Sequence, residues 1–339
     1  MGILQVLEIP GTELSGNIRQ RKAGNQQLIA DTNMNTTRIK YLLHEEIDKG
    51  KWDNCIDEAA NGLVYAYSFY LDAMSRNWDA LVLDDYKAVM PLTWNKKYGF
   101  YYLYQPFLCA SLGVFGNHLN AGVLENFLEA IPRRFRYWDI YLNWYNLFPL
   151  TKFNLYQRVN HALSLNIPYE ELYSQFRTSY KQLLKRFEKT GCTITRNIPV
   201  EEVLVLAKSQ LGAFFNISED DYSRFQQLYS SMAAKQKAVN YGVYSSKGEL
   251  LASGLFLFSH KRAYYILAGN HPNGKTLGAS HQVIDSFIKE FAGRDLVLDF
   301  EGSNVSRIAF FFKGFNAVEE LYPGIIYNRL PPLLRWLKS

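Results

Sequence analysis

The apolar positions of this chain repeat one order of predicted elements twice. In each half, three short apolar runs separated by turn-forming residues predict a three-stranded antiparallel meander. The runs cover residues 80–83, 88–92 and 100–106 in the first half, and 239–244, 250–258 and 263–268 in the second. Each meander is followed by a glycine-containing loop and then by a predicted helix.

The two predicted helices have the same apolar spacing. Apolar residues occur at positions 123, 124, 127, 128 and 131, and again at 283, 284, 287, 288 and 291, which is the pattern of one buried helix face. The helix offset is 160 positions (283 − 123), and the paired tyrosines at 101 and 264 differ by 163. We interpret these offsets as an old duplication with loop insertions; independent similarity of two such units is the alternative.

The second unit continues with a strand and a helix. Residues 296–300 predict a strand, residues 301–303 a turn, and residues 305–313 a helix that stops at Gly314-Phe315. A single helix over 169–189 is predicted between the halves. A loop that leads into a helix N-terminus leaves backbone N–H groups free, and small residues there let a phosphate approach.

These elements predict an α/β (α+β) protein of two tandem domains, each with a mixed, largely antiparallel sheet flanked by helices. We expect the first domain over residues 34–155 and the second over 156–325. Residues 1–33 are a polar, aperiodic arm, which is either accessory or an extension upstream of Met34. Residues 326–339 are expected to pack back on the first domain.

Composition limits the classes of function. The 339 residues are 48% hydrophobic and 20% charged, which is typical of a globular chain large enough for two cores. A net charge of +5 allows a phosphate-bearing ligand but does not favour a DNA-binding protein. No window approaches the roughly 18 apolar residues of a membrane span, so we predict none. The three cysteines are widely spaced and the six histidines lack zinc-site spacing, so we predict no metal site. The odd number of scattered cysteines fits a reducing compartment, and we predict a cytoplasmic location.

The order of meander, loop and helix, strand, and helix ending in Gly-Phe resembles the GNAT acyltransferase superfamily. Two such units in tandem resemble the Fem-type (FemABX-like) peptidyltransferases, which attach amino acids to peptidoglycan precursors. The resemblance covers roughly residues 37–335. It is carried by Gln105-Pro106, by residues 112–115, by the helix around Lys181, Lys185 and Arg186, and by residues 298–303 and 312–315.

This resemblance implies a donor site. In GNAT enzymes the loop before the first helix binds the coenzyme A pyrophosphate, and the matching residues here are Lys275, Thr276, Leu277, Gly278, Ala279 and Ser280. Gly278 matches the family pattern, whereas Lys275 and Ser280 depart from it. The alternative is an ordinary strand-to-helix loop. The equivalent first-half loop, residues 110–115, has no basic residue and is expected to shape a substrate wall.

The resemblance also implies catalytic residues. Many GNAT enzymes use a tyrosine of the last helix as proton donor, but Phe310 stands at that place and cannot donate a proton. In the Fem-type pattern a lysine at this place stabilises the oxyanion of the tetrahedral intermediate, and the resemblance implies this role for Lys313. The alternative is that Lys313 only interacts favourably with the dipole of its helix. Asp299 or Glu301 is a candidate base for the attacking amine, unless these carboxylates cap a helix or pair with an arginine such as Arg307.

Candidate substrate-binding residues are Gln105, Lys181, Lys185, Arg186 and Tyr322. Lys181, Lys185, Arg186 and Lys189 form a basic stripe at helical spacing. The stripe either binds a phosphate of a nucleotide-linked substrate or of a tRNA acceptor end, or is an ordinary solvent-exposed helix face. We predict transfer of an acyl or aminoacyl group from a thioester or ester donor, either acyl-CoA or aminoacyl-tRNA, to a small-molecule or peptide amine. The alternative is a catalytically silent protein of this fold that recognises a cell-wall precursor or an acylated ligand.

Overall fold

The computed structural model describes residues 38–211, 217–302 and 304–331. Its helices of more than one short turn are α1 Lys49–Glu58, α2 Ser68–Met74, α3 Ala121–Ala130, α4 Tyr169–Gln175, α5 Thr178–Phe187, α6 Val200–Leu211, α7 Glu219–Ala234, α8 Pro272–Leu277, α9 Ala279–Phe291 and α10 Ser306–Lys313. Its strands are β1 Ile39–Leu42, β2 Trp78–Leu83, β3 Ala88–Lys97, β4 Phe100–Tyr104, β5 Phe115–Gly116, β6 Phe135–Tyr141, β7 Tyr156–Ser164, β8 Thr193–Arg196, β9 Ala238–Tyr244, β10 Leu250–Ser259, β11 Arg262–Asn270, β12 Val297–Asp299 and β13 Val318–Asn328.

The described strands form one continuous mixed sheet that runs through both halves. Its order is β1-β2-β3-β4-β6-β13-β7-β12-β11-β10-β9-β8, with β5 paired to β3 off this path. Each half contains an antiparallel meander, β2-β3-β4 or β9-β10-β11, followed by a helix and a strand parallel to the last meander strand. The predicted α/β class and the two GNAT-like units are therefore confirmed.

The last strand of the chain joins the two halves. β13 lies between β6 of the first half and β7 of the second, and is antiparallel to both. At its centre, Gly324 is opposite Tyr141 on one side and Tyr156 on the other. Residues 326–328 thus pair with the first-half strand β6, while residues 332–339 of the predicted C-terminal segment, and the arm 1–33, lie outside the described residues.

Two predicted elements differ from the structure. The single helix expected over 169–189 is divided into α4 and α5, because Phe176 and Arg177 have extended backbones between them. The predicted loop over 275–280 is largely helical: α8 runs to Leu277, and α9 begins at Ala279. Helices α6 and α7, inserted between β8 and β9, are not anticipated by the meander pattern.

The hydrophobic core extends across both halves. Buried residues of α1 and α2 pack in one cluster with residues of α6, α7 and β11, including Trp52, Tyr70, Phe225 and Ile266. Two further clusters lie under α9 and α10 in the second half and under α3 in the first. The central cluster contains residues of both halves, so side chains from loops of the first half reach the second-half strands. The candidate site lies at this contact between the halves.

No helix among the described residues is both long enough and apolar enough to cross a lipid bilayer.

Candidate functional site

The second half contains a wedge between two parallel strands. β11 and β12 pair only where residues 262–264 face residues 297–299, after which β12 ends and β11 continues to Asn270. No other described strand pairs with that edge of β11 beyond Tyr264. The Asn270 N–H at the end of β11 donates to Gln210 Oε1 at 3.1 Å, whereas the edge between Tyr264 and Asn270 pairs with no described strand and can accept an extended ligand.

A cavity of about 580 Å³ opens from this wedge, and we call it the wedge cavity. Its walls come from β11, from the α8–α9 junction and from α10, with Gln210 of α6 at one side. Most of the lining is apolar, but Lys275 and Arg307 add two cationic side chains. The volume and lining suit a small organic ligand with an anionic group.

The corresponding place in the first half is closed. β4 and β6 pair in parallel along the strand as far as Tyr104 and Asp139, and Leu112 then forms a further parallel bridge with Leu142. The Leu112–Leu142 bridge thus continues the parallel pairing at the position where the second-half strands β11 and β12 diverge, so no wedge opens in the first half.

Three of the six predicted donor-binding residues, Lys275, Gly278 and Ser280, line the wedge cavity. The Ser280 hydroxyl also hydrogen-bonds to the Asn270 side chain. The others have structural contacts: the Thr276 carbonyl accepts a hydrogen bond of 3.1 Å from Arg186, Leu277 packs against the core, and Ala279 is buried.

Gly278 is required by the junction of two helices. It has the left-handed φ of +75° that ends α8, and a Cβ built on it would lie 2.5 Å from Leu183 Cγ on α5. The glycine that matches the donor-loop pattern thus has a conformational and a packing reason of its own.

We expect Gly278→Ala to lower the free energy of unfolding by about 1–3 kcal/mol, because alanine is strained at positive φ and contacts Leu183 too closely. Denaturant unfolding of both proteins measures this loss. The matched control is Gly293→Ala, at a φ of +77° with nothing within 4 Å of the added Cβ. Equal losses in the two variants would show that only backbone strain acts at Gly278.

The last helix presents apolar side chains to the wedge cavity. Ile308, Phe311 and Phe312 line it, whereas Phe310 is 60% exposed and packs against the Arg177 guanidinium at 3.7 Å from the ring centroid. The position predicted to replace the GNAT tyrosine is therefore not the residue that faces the cavity. Arg307 is the one polar side chain among the described α10 residues that line it.

Lys313 lies at the end of α10 and is half exposed. Its Nζ is 2.5 Å from Glu319 Oε1 on β13, and this hydrogen bond lowers the pKa of Glu319. Lys313 is not among the described residues that line the wedge cavity. Its predicted part in stabilising an oxyanion requires that the ion pair with Glu319 opens.

Buried carboxyl groups gather on the opposite sheet face, where β12 ends. Asp299 Oδ2 is 2.6 Å from Arg262 Nη1, and Glu320 binds the same guanidinium at 2.5 Å. Asn160 donates a hydrogen bond of 2.9 Å to Asp299 Oδ1. The arginine partner of Asp299 is thus Arg262 on β11, whereas the sequence suggested Arg307, which lines the wedge cavity instead.

Glu301 is the most deeply placed acid of this group, with 2% exposure. Its backbone has a left-handed φ of +68°, and its N–H donates to Asp299 Oδ1 at 2.9 Å. The Tyr65 hydroxyl, which belongs to the first half, donates to its Oε1. Burial, reinforced by the charge of Asp299, raises the pKa of Glu301 well above its ordinary value.

A small cavity of about 30 Å³ adjoins these acids, and we call it the inter-half cavity. Tyr65, Ser111 and Trp144 come from the first half, and Asp299 and Glu301 from the second. Tyr322, a predicted substrate-binding residue, also lines it. The space is that of one or two water molecules, so it admits only the end of a ligand.

The remaining predicted substrate-binding residues lie elsewhere. Gln105 connects a loop to strand β6, donating to the Cys109 carbonyl at 2.8 Å and accepting from the Tyr141 N–H at 3.1 Å. Lys181 donates to the Ser174 carbonyl at 2.9 Å, and Lys185 is exposed on α5. None of the described residues of this basic stripe lines either cavity.

Several site residues have no sequence signal. Tyr65 and Trp144 lie in short helical turns of the first half, and Asn160 lies in a strand whose spacing looks ordinary. Arg262 is the first residue of β11, and its only sequence signal as a site residue is a charge at the start of a buried strand. Their assembly depends on strands that are far apart along the chain.

Taken together, the sheet order, the parallel strands that diverge and the helix at the wedge define a tandem GNAT-like fold of the Fem type. Solved structures with this architecture include FemX, with a TM-score of 0.60 at 13% identity over 88% of this chain and 100% of that one. A conserved protein of unknown function from Bacteroides thetaiotaomicron has a TM-score of 0.55 at 11% identity, over 86% and 100% of the two chains. L-PGS from Bacillus licheniformis has a TM-score of 0.50 at 13% identity, over 86% and 95%.

Because the sequence identities are only 11–13%, these similarities show a shared fold and nothing more about this chain. No protein-family model matches the chain, and no curated protein matches it in sequence.

Proposed function

We propose that the chain transfers an acyl or aminoacyl group from a thioester or ester donor to an amine, with the donor lying in the wedge cavity and its carbonyl end reaching between the diverging strands β11 and β12 to the amine in the inter-half cavity on the other sheet face. The observation that carries this proposal is the divergence of β11 from β12, which leaves a strand edge beside a cavity of about 580 Å³. A donor arm with amide groups can pair with that edge, as an added strand does. The fold shared with FemX supports this class of activity.

The cations at the wedge cavity suit the phosphates of the donor. Lys275 is exposed at the end of α8, and Arg307 is exposed at the start of α10. Phosphate groups of acyl-CoA, or of the terminal nucleotides of an aminoacyl-tRNA, would lie between them. The rest of the cavity is apolar and would hold the uncharged part of the donor arm.

The acids at the inter-half cavity supply the base. In the reaction, the neutral amine nitrogen attacks the donor carbonyl carbon, a C–N bond forms, and the C–S or C–O bond to the leaving group breaks. The amine must lose one proton, and we assign it to Glu301, with Asp299 as the alternative acceptor. The leaving group departs as a thiolate or alkoxide and takes a proton from solvent. A carboxyl group whose pKa is raised by burial is better matched to this task near neutral pH than an ordinary glutamate.

We expect coenzyme A and acetyl-CoA to bind with micromolar dissociation constants, and Lys275→Ala and Arg307→Ala each to weaken binding about tenfold by removing one charged contact to phosphate. Isothermal titration calorimetry at low and moderate salt measures this. Lys247→Ala, in the exposed β9–β10 turn, is the matched control. Absence of coenzyme A binding would leave aminoacyl-tRNA as the donor to test, and absence of binding by both would contradict the proposal.

A silent binding protein is the second candidate. The described α10 residues at the wedge cavity include no hydroxyl or carboxyl group to protonate a leaving group, and Lys313 pairs with Glu319 outside it. A protein of this kind would bind an acylated ligand or a cell-wall precursor without turnover. Donor binding with no transfer to any amine of a broad panel would favour this candidate, whereas measurable transfer would exclude it.

A further inference from the structure

A third cavity, of about 420 Å³, shares no lining residue with the wedge cavity or the inter-half cavity. It lies where α1 and α2 of the first half meet α7 and the β10–β11 hairpin of the second. Its lining includes Asp57, Tyr67, Phe69, Lys235, Lys237 and His260. We call it the aromatic–lysine cavity, because its wall combines stacked rings with cationic side chains.

The rings of Phe69, Tyr67 and His260 form a stacked row. The ring centroids of Phe69 and Tyr67 are 5.3 Å apart with an interplanar angle of 27°, and those of Tyr67 and His260 are 5.7 Å apart at 30°. Phe69 is 41% exposed, so the outer end of the row faces solvent. Because Tyr67 lies between Phe69 and His260, the flat apolar surface left for the planar ring of a ligand is the outer face of Phe69, which Tyr67 supports from behind, and we call it the Phe69–Tyr67 platform.

The inner end of this row is fixed by hydrogen bonds. His260 Nε2 is 2.9 Å from the Ile56 carbonyl and therefore carries the proton, so that Nδ1 accepts from the Ser259 hydroxyl at 2.6 Å. Gly62 allows this approach, because a Cβ there would lie 2.2 Å from His260 Nε2. The Tyr67 hydroxyl donates to Asp57. The platform is thus preorganised before any ligand binds.

Two lysines border the platform, and one of them, Lys235, places its ammonium over the Phe69 ring. Lys235 Nζ lies 5.8 Å from the Phe69 ring centroid, and Lys237 lines the same cavity from the strand side. Both are exposed, and within the described chain neither forms an ion pair. With Asp57 engaged by Tyr67, the mouth of the cavity presents two cations and one acid, which favours an anionic ligand.

We propose that the aromatic–lysine cavity binds a nucleotide, with its base against the Phe69–Tyr67 platform and its phosphate between Lys235 and Lys237. A purely aliphatic ligand would leave both lysines without a role, and a simple anion would leave the rings without one. Asp57 supplies a hydrogen-bond acceptor that suits ribose hydroxyls. The volume of about 420 Å³ is in the range of small-ligand pockets.

Titration of the full chain with AMP, UMP, adenosine, ribose 5-phosphate and inorganic phosphate tests this inference. We expect both nucleotides to bind about tenfold more tightly than adenosine or ribose 5-phosphate, because each of those lacks one half of the recognised group. Binding of the nucleotides should weaken as salt rises. Ribose 5-phosphate or phosphate binding as tightly as the nucleotides would overturn the proposed base contact.

Variants locate the binding. Phe69→Ala and the double variant Lys235→Ala/Lys237→Ala are each expected to weaken nucleotide binding about tenfold. Lys97 and Tyr98 form a comparable surface pair, with Lys97 Nζ 5.4 Å from the Tyr98 ring centroid, so Lys97→Ala and Tyr98→Ala are the matched controls. Lys275→Ala tests whether the nucleotide occupies the wedge cavity instead. Nucleotide binding that is absent at millimolar concentration, or unchanged in both cavity variants, would overturn the proposal.

The source of the nucleotide is decided by one more titration. A short single-stranded RNA that binds more tightly than AMP, and loses that advantage in Phe69→Ala, would assign the cavity to a nucleotide of an RNA strand. Equal or weaker RNA binding would assign it to a free nucleotide. Both results support the recognition of a base and a phosphate at this place.

Discussion

Replacing Glu301 by glutamine is expected to lower the turnover number of acyl transfer by about 10²–10⁴-fold, because the attacking amine then lacks its proton acceptor. Glutamine has nearly the same shape and can still accept the hydrogen bond from Tyr65. It carries no charge that must be buried, so we expect the variant to be as stable as the parent at neutral pH. Turnover with a saturating donor and amine, once these are found, measures the effect.

The pH dependence provides a readout that a structural role would not change. Glu301 acts as a base only when deprotonated, and burial raises its pKa above the ordinary 4.5, so kcat/KM should increase with pH through this raised pKa. In Glu301→Gln the residual activity should lack this acidic limb. If the limb persists in Glu301→Gln and disappears in Asp299→Asn, Asp299 is the base. Full turnover in both variants would exclude carboxylate catalysis at this site.

Replacing Arg262 by methionine is expected to lower the free energy of unfolding by about 3–5 kcal/mol, because Asp299 and Glu320 then lose the cation between them in a buried environment. The Arg262 side chain is 13% exposed and that of Asp299 8%. Denaturant unfolding of both proteins measures this loss.

The neighbouring residue gives a closely matched control. Lys261 Nζ is also 2.6 Å from a carboxylate oxygen, that of Asp295, but these side chains are 75% and 79% exposed. Lys261→Ala should therefore cost less than about 1 kcal/mol. Similar losses for Lys261→Ala and Arg262→Met would contradict the view that burial makes the Arg262 cluster structurally important.

The predicted donor-binding segment shows how far local pattern reaches. The apolar spacing from residue 283 onward indicates α9 because one helix face is buried, and this requires only neighbouring residues. The residues before it look like a loop because Pro272, Gly274 and Gly278 are breakers in sequence. In the structure the proline begins α8 and Gly278 ends it, so the same residues act as helix boundaries.

The acceptor side of the site illustrates the opposite case. Glu301 and Tyr65 are 236 positions apart, and no spacing connects them. Lys313 is prominent in sequence because it precedes Gly-Phe, yet its nearest partner is decided by β13, which carries Glu319 past the end of α10. Sequence resemblance therefore gives candidate side chains, whereas strand order decides which of them meet.

The sequence by itself determined the two meander-and-helix units, the α/β class and the acids at the end of β12, since each depends on short-range periodicity. Only the tertiary structure decided the rest. Insertion of β13 between β6 and β7 makes one sheet of two halves, the early end of β12 opens the wedge, and the shared core brings Tyr65 to Glu301. These are pairings between distant segments, fixed by burial of whole elements rather than by the residues beside them.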